Sequence, residues 1–317
     1  MEGPEDLEAA LLGAPVELDR DEVSALAGIP EQEARAFWVA MGFAEVPPGE
    51  KAFTRRDADA LRHALALRDS GIVAEGTLLV LARAMGQGLS RLAEAQVQVL
   101  RQQAVDLTTE QASATVVAAS TEVLPRLEAL VVHVWRRQFA AATERAFASL
   151  QADGAPELAV GFIDLVGFTR TSRQIGTGEL EQLLERFESE TSVRVTAHGG
   201  RVVKTLGDAV LFVCDDVASA VEVALLAVDA RADDDTVPEV RAGVAVGPLL
   251  QRLGDVFGEP VNLASRLTDE ARPGTVLVDG QVADALASSP AYALQRLHRR
   301  PVRGYRALAP YRVRRHT

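Results

Sequence analysis

The sequence predicts two domains of different fold class, an all-α domain followed by an α+β domain. In the first half, apolar residues recur at three- and four-residue spacing in one segment after another, which is typical of amphipathic helices. From Glu157 onward, short runs rich in β-branched residues alternate with longer helical segments. The 317 residues are 48% hydrophobic and 25% charged. The chain can therefore bury two hydrophobic cores, and its composition differs from that of disordered proteins.

Helices account for nearly all of the first half. The spacing predicts them over Asp21–Leu26, Pro30–Met41, Arg55–Asp69, Val73–Ala84 and Leu89–Leu107. Thr54, followed three residues later by Asp57, predicts an N-cap, and Gly71 predicts a helix stop. We assign residues 1–128 to this helical domain.

A further helical segment, Ala129 to about Leu150, contains almost no Pro, Gly or Ser. We therefore expect residues 129–154 to form a connecting helix and not a flexible linker. Residues 155–317 form the expected α+β domain. Its predicted strands are Leu158–Ile163, Arg201–Lys204, Ala209–Cys214 and Val240–Val246. Its predicted helices are Gly178–Ala197 and Val217–Arg231.

The charge, the cysteine content and the lack of long apolar runs argue against several classes of protein. The formal net charge of −12 argues against a nucleic-acid-binding surface, so no nucleic-acid partner is expected. Cys214 is the only cysteine and lies in an apolar run, which favours a small core residue and a reducing compartment. The acidic start lacks a secretion signal, and no apolar run approaches the ~20 residues of a membrane span. We expect a cytoplasmic protein with at most peripheral membrane contact.

One segment of the first half has the outline of a helix-turn-helix, with Gly28-Ile29-Pro30 as its turn. This keeps a DNA-binding regulator open as an alternative. The second helix, however, carries Glu31, Glu33 and an aromatic pair, Phe37-Trp38, which suit packing better than contact with phosphate.

The first string with chemical content is Gly161–Thr169, an apolar strand that ends in Asp164 and a glycine turn. A carboxylate beside helix-start amides suits a metal-bound polyphosphate. The amides near Gly167, Phe168 and Thr169 are therefore candidates for phosphate contact, and Asp164 for cation contact.

Two later strings add polar residues. Asp208 follows Gly207 at a tight turn between two β runs, where a turn-favouring aspartate is the alternative explanation. In Gly254–Leu267, Asn262 and Arg266 stand four residues apart and share one helix face. An exposed polar face is the alternative there, and Asp255 after Gly254 could be an ordinary turn residue.

In their order and spacing, these three strings closely resemble the class III nucleotidyl cyclase catalytic domain, across about residues 156–313. The resemblance implies a ferredoxin-like, palm-type sheet with helices, and the activity of an adenylate cyclase that converts ATP to 3′,5′-cyclic AMP and pyrophosphate. It implies roles for seven residues: Asp164 and Asp208 with the Leu165 carbonyl as metal ligands, Lys204 and Asp255 as the adenine-selecting pair, Asn262 as the ribose-orienting residue and Arg266 as the transition-state arginine. Two Mg²⁺ or Mn²⁺ ions per active site are the implied cofactors.

The chemistry of the bases agrees with the expected pair. Adenine offers an acceptor at N1 and a donor at N6, which match the ammonium of Lys204 and the carboxylate of Asp255. Guanine offers a protonated N1 and a carbonyl, so ATP is favoured over GTP.

The resemblance also implies a homodimer with composite active sites, since one chain carries both sets of residues. Arg303, before Gly304, resembles a basic residue that contacts the triphosphate, although the family more often has lysine there. His198, just before Gly199-Gly200, is expected to cap a helix and not to catalyse.

Phe37-Trp38, Glu45–Pro48 and Phe53-Thr54 are similar to the regulatory domain that precedes some actinobacterial class III cyclases. This similarity implies that the first domain controls the activity of the catalytic domain through the connecting helix. His133 in that helix is a candidate pH sensor. The alternative is that His133 packs at a helix interface and senses nothing. The apolar runs Thr77–Ala82 and Ala114–Ala118 could enclose a bound lipid, although such runs more often form plain bundle core. A cyclase-fold module that senses a nucleotide without converting it remains the alternative to an enzyme.

Overall fold

The computed structural model describes residues 4–74, 76–103, 122–151, 157–232, 238–298, 300–302 and 305–316. The chain divides into two compact units, residues 1–143 and 144–317. The division falls inside a long helix, and the domain limits expected at 128/129 and 154/155 stay predictions.

The first unit is built of helices, as expected. Its helices are α1 (Pro4–Leu12), α2 (Arg20–Ala27), α3 (Glu31–Ala40), α4 (Arg55–Asp69), α5 (Thr77–Gln103) and the start of α6 (Leu124–Gln151). The predicted cap is present, because Thr54 and Asp57 form a reciprocal capping box at the start of α4. Gly28 ends α2 in the left-handed conformation, at the predicted turn.

The prediction of separate helices over Val73–Ala84 and Leu89–Leu107 was wrong, since α5 is continuous from Thr77 to Gln103. The two glycines between those segments do not end it. Gly86 instead permits close packing on α3, because a Cβ at this position would lie 2.0 Å from the carbonyl oxygen of Met41. Here glycine serves helix contact and not helix termination.

A small core holds α2, α3 and α4 together. Its buried residues are Val23, Ala27, Ala34, Phe53, Ala58 and Leu61. Trp38 on α3 packs edge to face on Phe53, with ring centroids 4.7 Å apart. Arg35 on the same helix pairs with Glu45 at 2.6 Å. Trp38, on the second helix of the helix-turn-helix outline, thus contributes to the core of this unit.

The second unit is built around a mixed sheet, which confirms the α+β class. Its strands are β1 (Glu157–Leu165), β2 (Arg201–Thr205), β3 (Ala209–Cys214), β4 (Val240–Pro248), β5 (Leu250–Arg252), β6 (Asp255–Phe257), β7 (Val276–Val278), β8 (Tyr292–Arg296), β9 (Arg300–Val302), β10 (Tyr305–Leu308) and β11 (Tyr311–Arg315). Seven strands form the main sheet in the order β2-β3-β1-β4-β7-β11-β8. β4 and β7 run parallel, whereas β1 pairs antiparallel with both β3 and β4.

Helices cover both faces of this sheet. They are α7 (Phe168–Thr171), α8 (Thr177–Ala197), α9 (Val217–Ala232), α10 (Glu259–Glu270) and α11 (Gly280–Leu286). One core joins α8, α9 and α11 to the sheet and includes Phe187, Phe212 and Cys214. The other joins α10 to the opposite face through Ala264 and Leu267. Cys214 is thus the core residue that the sequence predicts, and burial raises the pKa of its thiol to about 12.

Among the described residues, no helix has the length and apolar content to cross a membrane.

Candidate active site

The first group of candidate residues lies where β1 ends. Asp164 is opposite Ala209 on β3 and opposite Arg241 on β4 in the strand register. The Leu165 amide donates a hydrogen bond to the carbonyl oxygen of Asp208 at 2.9 Å. This main-chain contact holds the Gly207–Asp208 turn against the end of β1. The two aspartates that the family resemblance implies as metal ligands are therefore neighbours in the structure.

The charges at the end of β1 favour binding of a cation. Burial raises the pKa of the Asp164 carboxyl, the hydrogen bond and the charge of Arg241 oppose this, and the nearby charges of Asp208 and Asp269 raise it further. The net result is a pKa above the ordinary value. Bringing a carboxylate near other carboxylates costs free energy, which a bound cation would recover.

Arg241 is a site residue that the sequence reasoning missed. Its Nε donates to Oδ2 of Asp164 at 2.8 Å, and its Nη1 donates to the carbonyl oxygen of Asp269 at 2.8 Å. A signal was available in the sequence, because Arg241 is the one charged residue in the buried run Val240–Val246. A charged residue inside a buried strand usually has a partner.

The glycine turn after β1 has the predicted form. Gly167 has a φ of 73°, the left-handed region that favours glycine, and α7 begins at Phe168. However, α7 has only four residues, and the amides of Arg170 and Thr171 donate back to the Gly167 carbonyl. A helix this short has a small dipole, so phosphate binding by Gly167, Phe168 and Thr169 stays a prediction.

Lys204 and Asp255, 51 residues apart in the sequence, are in direct contact. Nζ of Lys204 donates to Oδ2 of Asp255 at 2.6 Å, and the other carboxylate oxygen accepts from the Val256 amide at 2.8 Å. Partial burial raises the pKa of Asp255, but these two hydrogen bonds outweigh it and hold the pKa below its ordinary value. The pair therefore presents a fixed cation beside a fixed anion.

The β5–β6 hairpin places Asp255. Its turn contains Leu253 and Gly254, both with positive φ, 53° and 82°. Two such residues form the tight turn that suits the twist of a two-stranded hairpin. Asp255 is thus a strand residue directly after the turn, and not a turn residue, which was the alternative.

Asn262 and Arg266 both lie on α10, as predicted. The helix buries Pro260, Ala264, Leu267 and Thr268, whereas Asn262 is exposed and Arg266 half-exposed. Gly243 on β4 allows α10 to approach closely, since a Cβ there would lie 2.5 Å from the Ala264 carbonyl oxygen. Nη1 of Arg266 lies 3.2 Å from Oδ2 of Asp269, one turn further along the helix.

The remaining candidates fall elsewhere. Arg303 lies outside the described residues. His198 is the C-cap of α8, where its Nδ1 lies 2.9 Å from the Arg194 carbonyl oxygen, as expected for a capping role. His133 is exposed on α6, in the first unit.

Within the described residues no cluster of three or more His, Cys, Asp or Glu side chains forms a metal cage. The donor set at the end of β1 is instead two carboxylates and a main-chain carbonyl, all oxygen. Mg²⁺ and Mn²⁺ accept such incomplete oxygen sets, with substrate phosphates and water as the remaining ligands. The residues present therefore fit the expected ions.

Comparison with known proteins identifies the family of the chain. Residues 150–315 match the family model described as the adenylate and guanylate cyclase catalytic domain. The chain is 39% identical to an adenylate cyclase of Streptomyces coelicolor, over 96% of this chain and 88% of that protein. It is 34% identical to an adenylate cyclase of Glutamicibacter nicotianae, over 97% of this chain and 81% of that one.

A third relative is a pH-sensitive adenylate cyclase of Mycobacterium tuberculosis, 35% identical over 79% of this chain and 65% of that protein. The resemblance drawn from the Asp164, Asp208 and Asp255 strings is thereby confirmed at the level of the family. The chain belongs to the adenylate and guanylate cyclase catalytic domain family.

Proposed function

We propose that this protein is an adenylate cyclase that converts ATP to 3′,5′-cyclic AMP and pyrophosphate. The contact between Lys204 and Asp255 is the observation that carries the choice of ATP. It holds a donor and an acceptor side by side, which is the pattern that adenine N1 and N6 require. Guanine would leave the lysine facing a protonated N1, and an unpaired polar group at a recognition site opposes binding. The names of the Streptomyces and Glutamicibacter relatives support the same substrate.

Asp164, Asp208 and the Leu165 carbonyl are the proposed ligands of two Mg²⁺ or Mn²⁺ ions. When bound, such ions lower the pKa of the attacking hydroxyl and neutralise the polyphosphate. The role of Asp164 depends on its orientation, and Arg241 provides this by holding one carboxylate oxygen at 2.8 Å. The other oxygen of Asp164 is the proposed cation contact.

Asn262 and Arg266 act on the nucleotide from α10. In the proposed mechanism Asn262 orients the ribose, so that the 3′-hydroxyl is in line with the α-phosphorus. Arg266 meets the negative charge that grows on the α-phosphoryl oxygens in the transition state. Its partner in the free chain, Asp269, is exposed, so the ion pair is weak and can exchange for the nucleotide.

We propose a homodimer in which each active site is composite. Lys204, Asp255, Asn262 and Arg266 of one chain would act with the partner's Asp164 and the partner's Asp208. A closed dimer then has two equivalent sites.

The first unit is proposed to control the enzyme through α6. The name of the Mycobacterium relative makes pH a reasonable signal, and the exposed His133 on α6 is the proposed sensor. A lipid in this unit and a cytoplasmic location stay predictions. The run Thr77–Ala82 lies at the start of α5, whereas Ala114–Ala118 lies outside the described residues.

Cyclic AMP production by the full chain tests the proposal. The wild type is incubated with ATP and Mn²⁺ beside an Asp208→Asn variant of unchanged size, and product is separated by chromatography. Cyclic AMP from the wild type and its loss in the variant support the enzyme. Tight ATP binding without product, by a chain shown to be dimeric, would instead favour the nucleotide-sensing module.

A further inference from the structure

The strand that carries Lys204 contains a bulge. On β2, Arg201 is opposite Val213 and Val202 is opposite Phe212, but Lys204 is opposite Leu211, so Val203 is an extra residue. In a regular strand, residues three apart point to opposite faces of the sheet. The extra residue cancels this alternation. Arg201 and Lys204 therefore lie on one face, the face of Leu211 and Val213, which packs under α10.

This shared face lets β2 contact the β5–β6 hairpin at two points. Lys204 binds Asp255 on β6, and Nη2 of Arg201 donates to Oε1 of Gln251 on β5 at 3.0 Å. Within the hairpin, Gln251 is opposite Val256 and Arg252 is opposite Asp255. The two contacts thus hold both strands of the hairpin against β2.

The hairpin depends on such contacts because it is small. β5 and β6 have three residues each and form a separate two-stranded sheet. All three residues of β5 are exposed, and in β6 only Val256 is buried. An isolated hairpin of this length is at best marginally stable in water. Val256 and the two polar contacts to β2 therefore contribute to its position relative to Lys204.

We propose that Arg201, through Gln251, is a positioning residue for nucleotide selection. It fixes β5, and with it β6, so that the Asp255 carboxylate is held where the N6 donor of adenine arrives. Arg201 itself contacts no substrate in this account. The inference rests on the proposed function, since it assigns Asp255 to the base of ATP.

The test uses the full-length protein and steady-state kinetics with ATP and with GTP. Arg201→Met removes the guanidinium and keeps most of the side-chain volume, and Gln251→Leu removes the acceptor. Each change should raise KM for ATP by about 3- to 10-fold, the effect of one hydrogen bond, and leave kcat within about twofold. The preference for ATP over GTP in kcat/KM should fall by the same factor.

Two further variants separate positioning from general damage. Gln251→Glu keeps an acceptor for Arg201 and should retain the wild-type KM and preference. The double variant Arg201→Met, Gln251→Leu should be no worse than either single variant, because both remove one interaction. Arg314→Met, at an exposed arginine on β11, is the matched control and should change neither value.

Unchanged KM and unchanged preference in folded Arg201→Met would overturn the inference. So would a fall in kcat and melting temperature without a change in KM, since this would show a structural role only. If the wild type makes no cyclic AMP, the proposed function has failed on its own. Calorimetric Kd values for ATP and GTP with the same variants then decide whether Arg201 sets nucleotide preference.

Discussion

Arg241 donates a hydrogen bond from Nε to Oδ2 of Asp164 at 2.8 Å and a second bond from Nη1 to the main chain of Asp269 at 2.8 Å. One guanidinium thus joins the end of β1, β4 and the last turn of α10. It orients a proposed metal ligand and connects it to the helix that carries Arg266.

Replacing this guanidinium should weaken metal use. In Arg241→Gln, the Asp164 carboxylate loses its charged partner and its fixed orientation. Partners of metal ligands are typically worth 10- to 100-fold in metal affinity or activity, so the Mn²⁺ concentration for half-maximal activity should rise by about that factor. Arg314→Gln is the control. An unchanged Mn²⁺ dependence would show that Asp164 does not need Arg241.

Lys204→Ala tests the base-reading pair. Without the ammonium, adenine N1 loses its donor and Asp255 loses the bond that fixes it, so kcat/KM for ATP should fall at least about tenfold. The value for GTP should fall much less. Rates with both nucleotides, measured at equal Mn²⁺, give the ratio. A proportional loss with ATP and GTP would contradict adenine reading by this residue.

Arg266→Ala separates binding from chemistry. Because the guanidinium is proposed to act on transition-state charge, kcat should fall by about 10²- to 10³-fold while KM for ATP changes little. Asp269→Ala removes the partner of Arg266 in the free chain and a negative charge near Asp164, neither of which is proposed to act on the transition state, so kcat should stay within about twofold. A raised KM with unchanged kcat in Arg266→Ala would contradict a transition-state role for this arginine.

Asp279 should make the stability of the second unit depend on pH. This buried N-cap of α11 accepts a hydrogen bond from the Val282 amide at 2.9 Å, and burial raises its pKa to about 6. Because the folded pKa exceeds the unfolded value, the folded chain binds more protons between about pH 4 and pH 6. The resulting stabilisation, about 3 kcal/mol, is complete below pH ~4 and is lost as pH rises through about 6.

Asp279→Asn keeps a capping oxygen and removes the titration. Chemical unfolding of wild type and variant, at about pH 4, 5, 6 and 7, measures the difference. The stability of the wild type should fall with rising pH relative to the variant. Parallel curves would show that the Asp279 carboxyl titrates normally in the folded state.

Local patterns were sufficient to predict most of the fold and the elements that carry the candidate site residues, whereas the roles of those residues came from the family resemblance. β1 to β4 and the helix that carries Asn262 and Arg266 follow from alternation and helical spacing. Three features could not be predicted in this way because they depend on contacts between distant segments. Gly86 resembles a helix stop in the sequence, and its role depends on the contact with Met41. The partner of Arg241 is defined only by the pairing of β4 with β1. The bulge at Val203 is defined only by the register of β2 and β3.

Mixing two inactive variants tests the central claim, that one site is made from two chains, most directly. Asp208→Asn lacks a proposed metal ligand and Arg266→Ala lacks the transition-state arginine, so each homodimer should make almost no cyclic AMP. After mixing and exchange, half of the dimers are mixed and each contains one intact site, so activity should recover to about a quarter of wild type. If differently tagged chains co-purify as mixed dimers and the mixture stays inactive, the composite site is wrong.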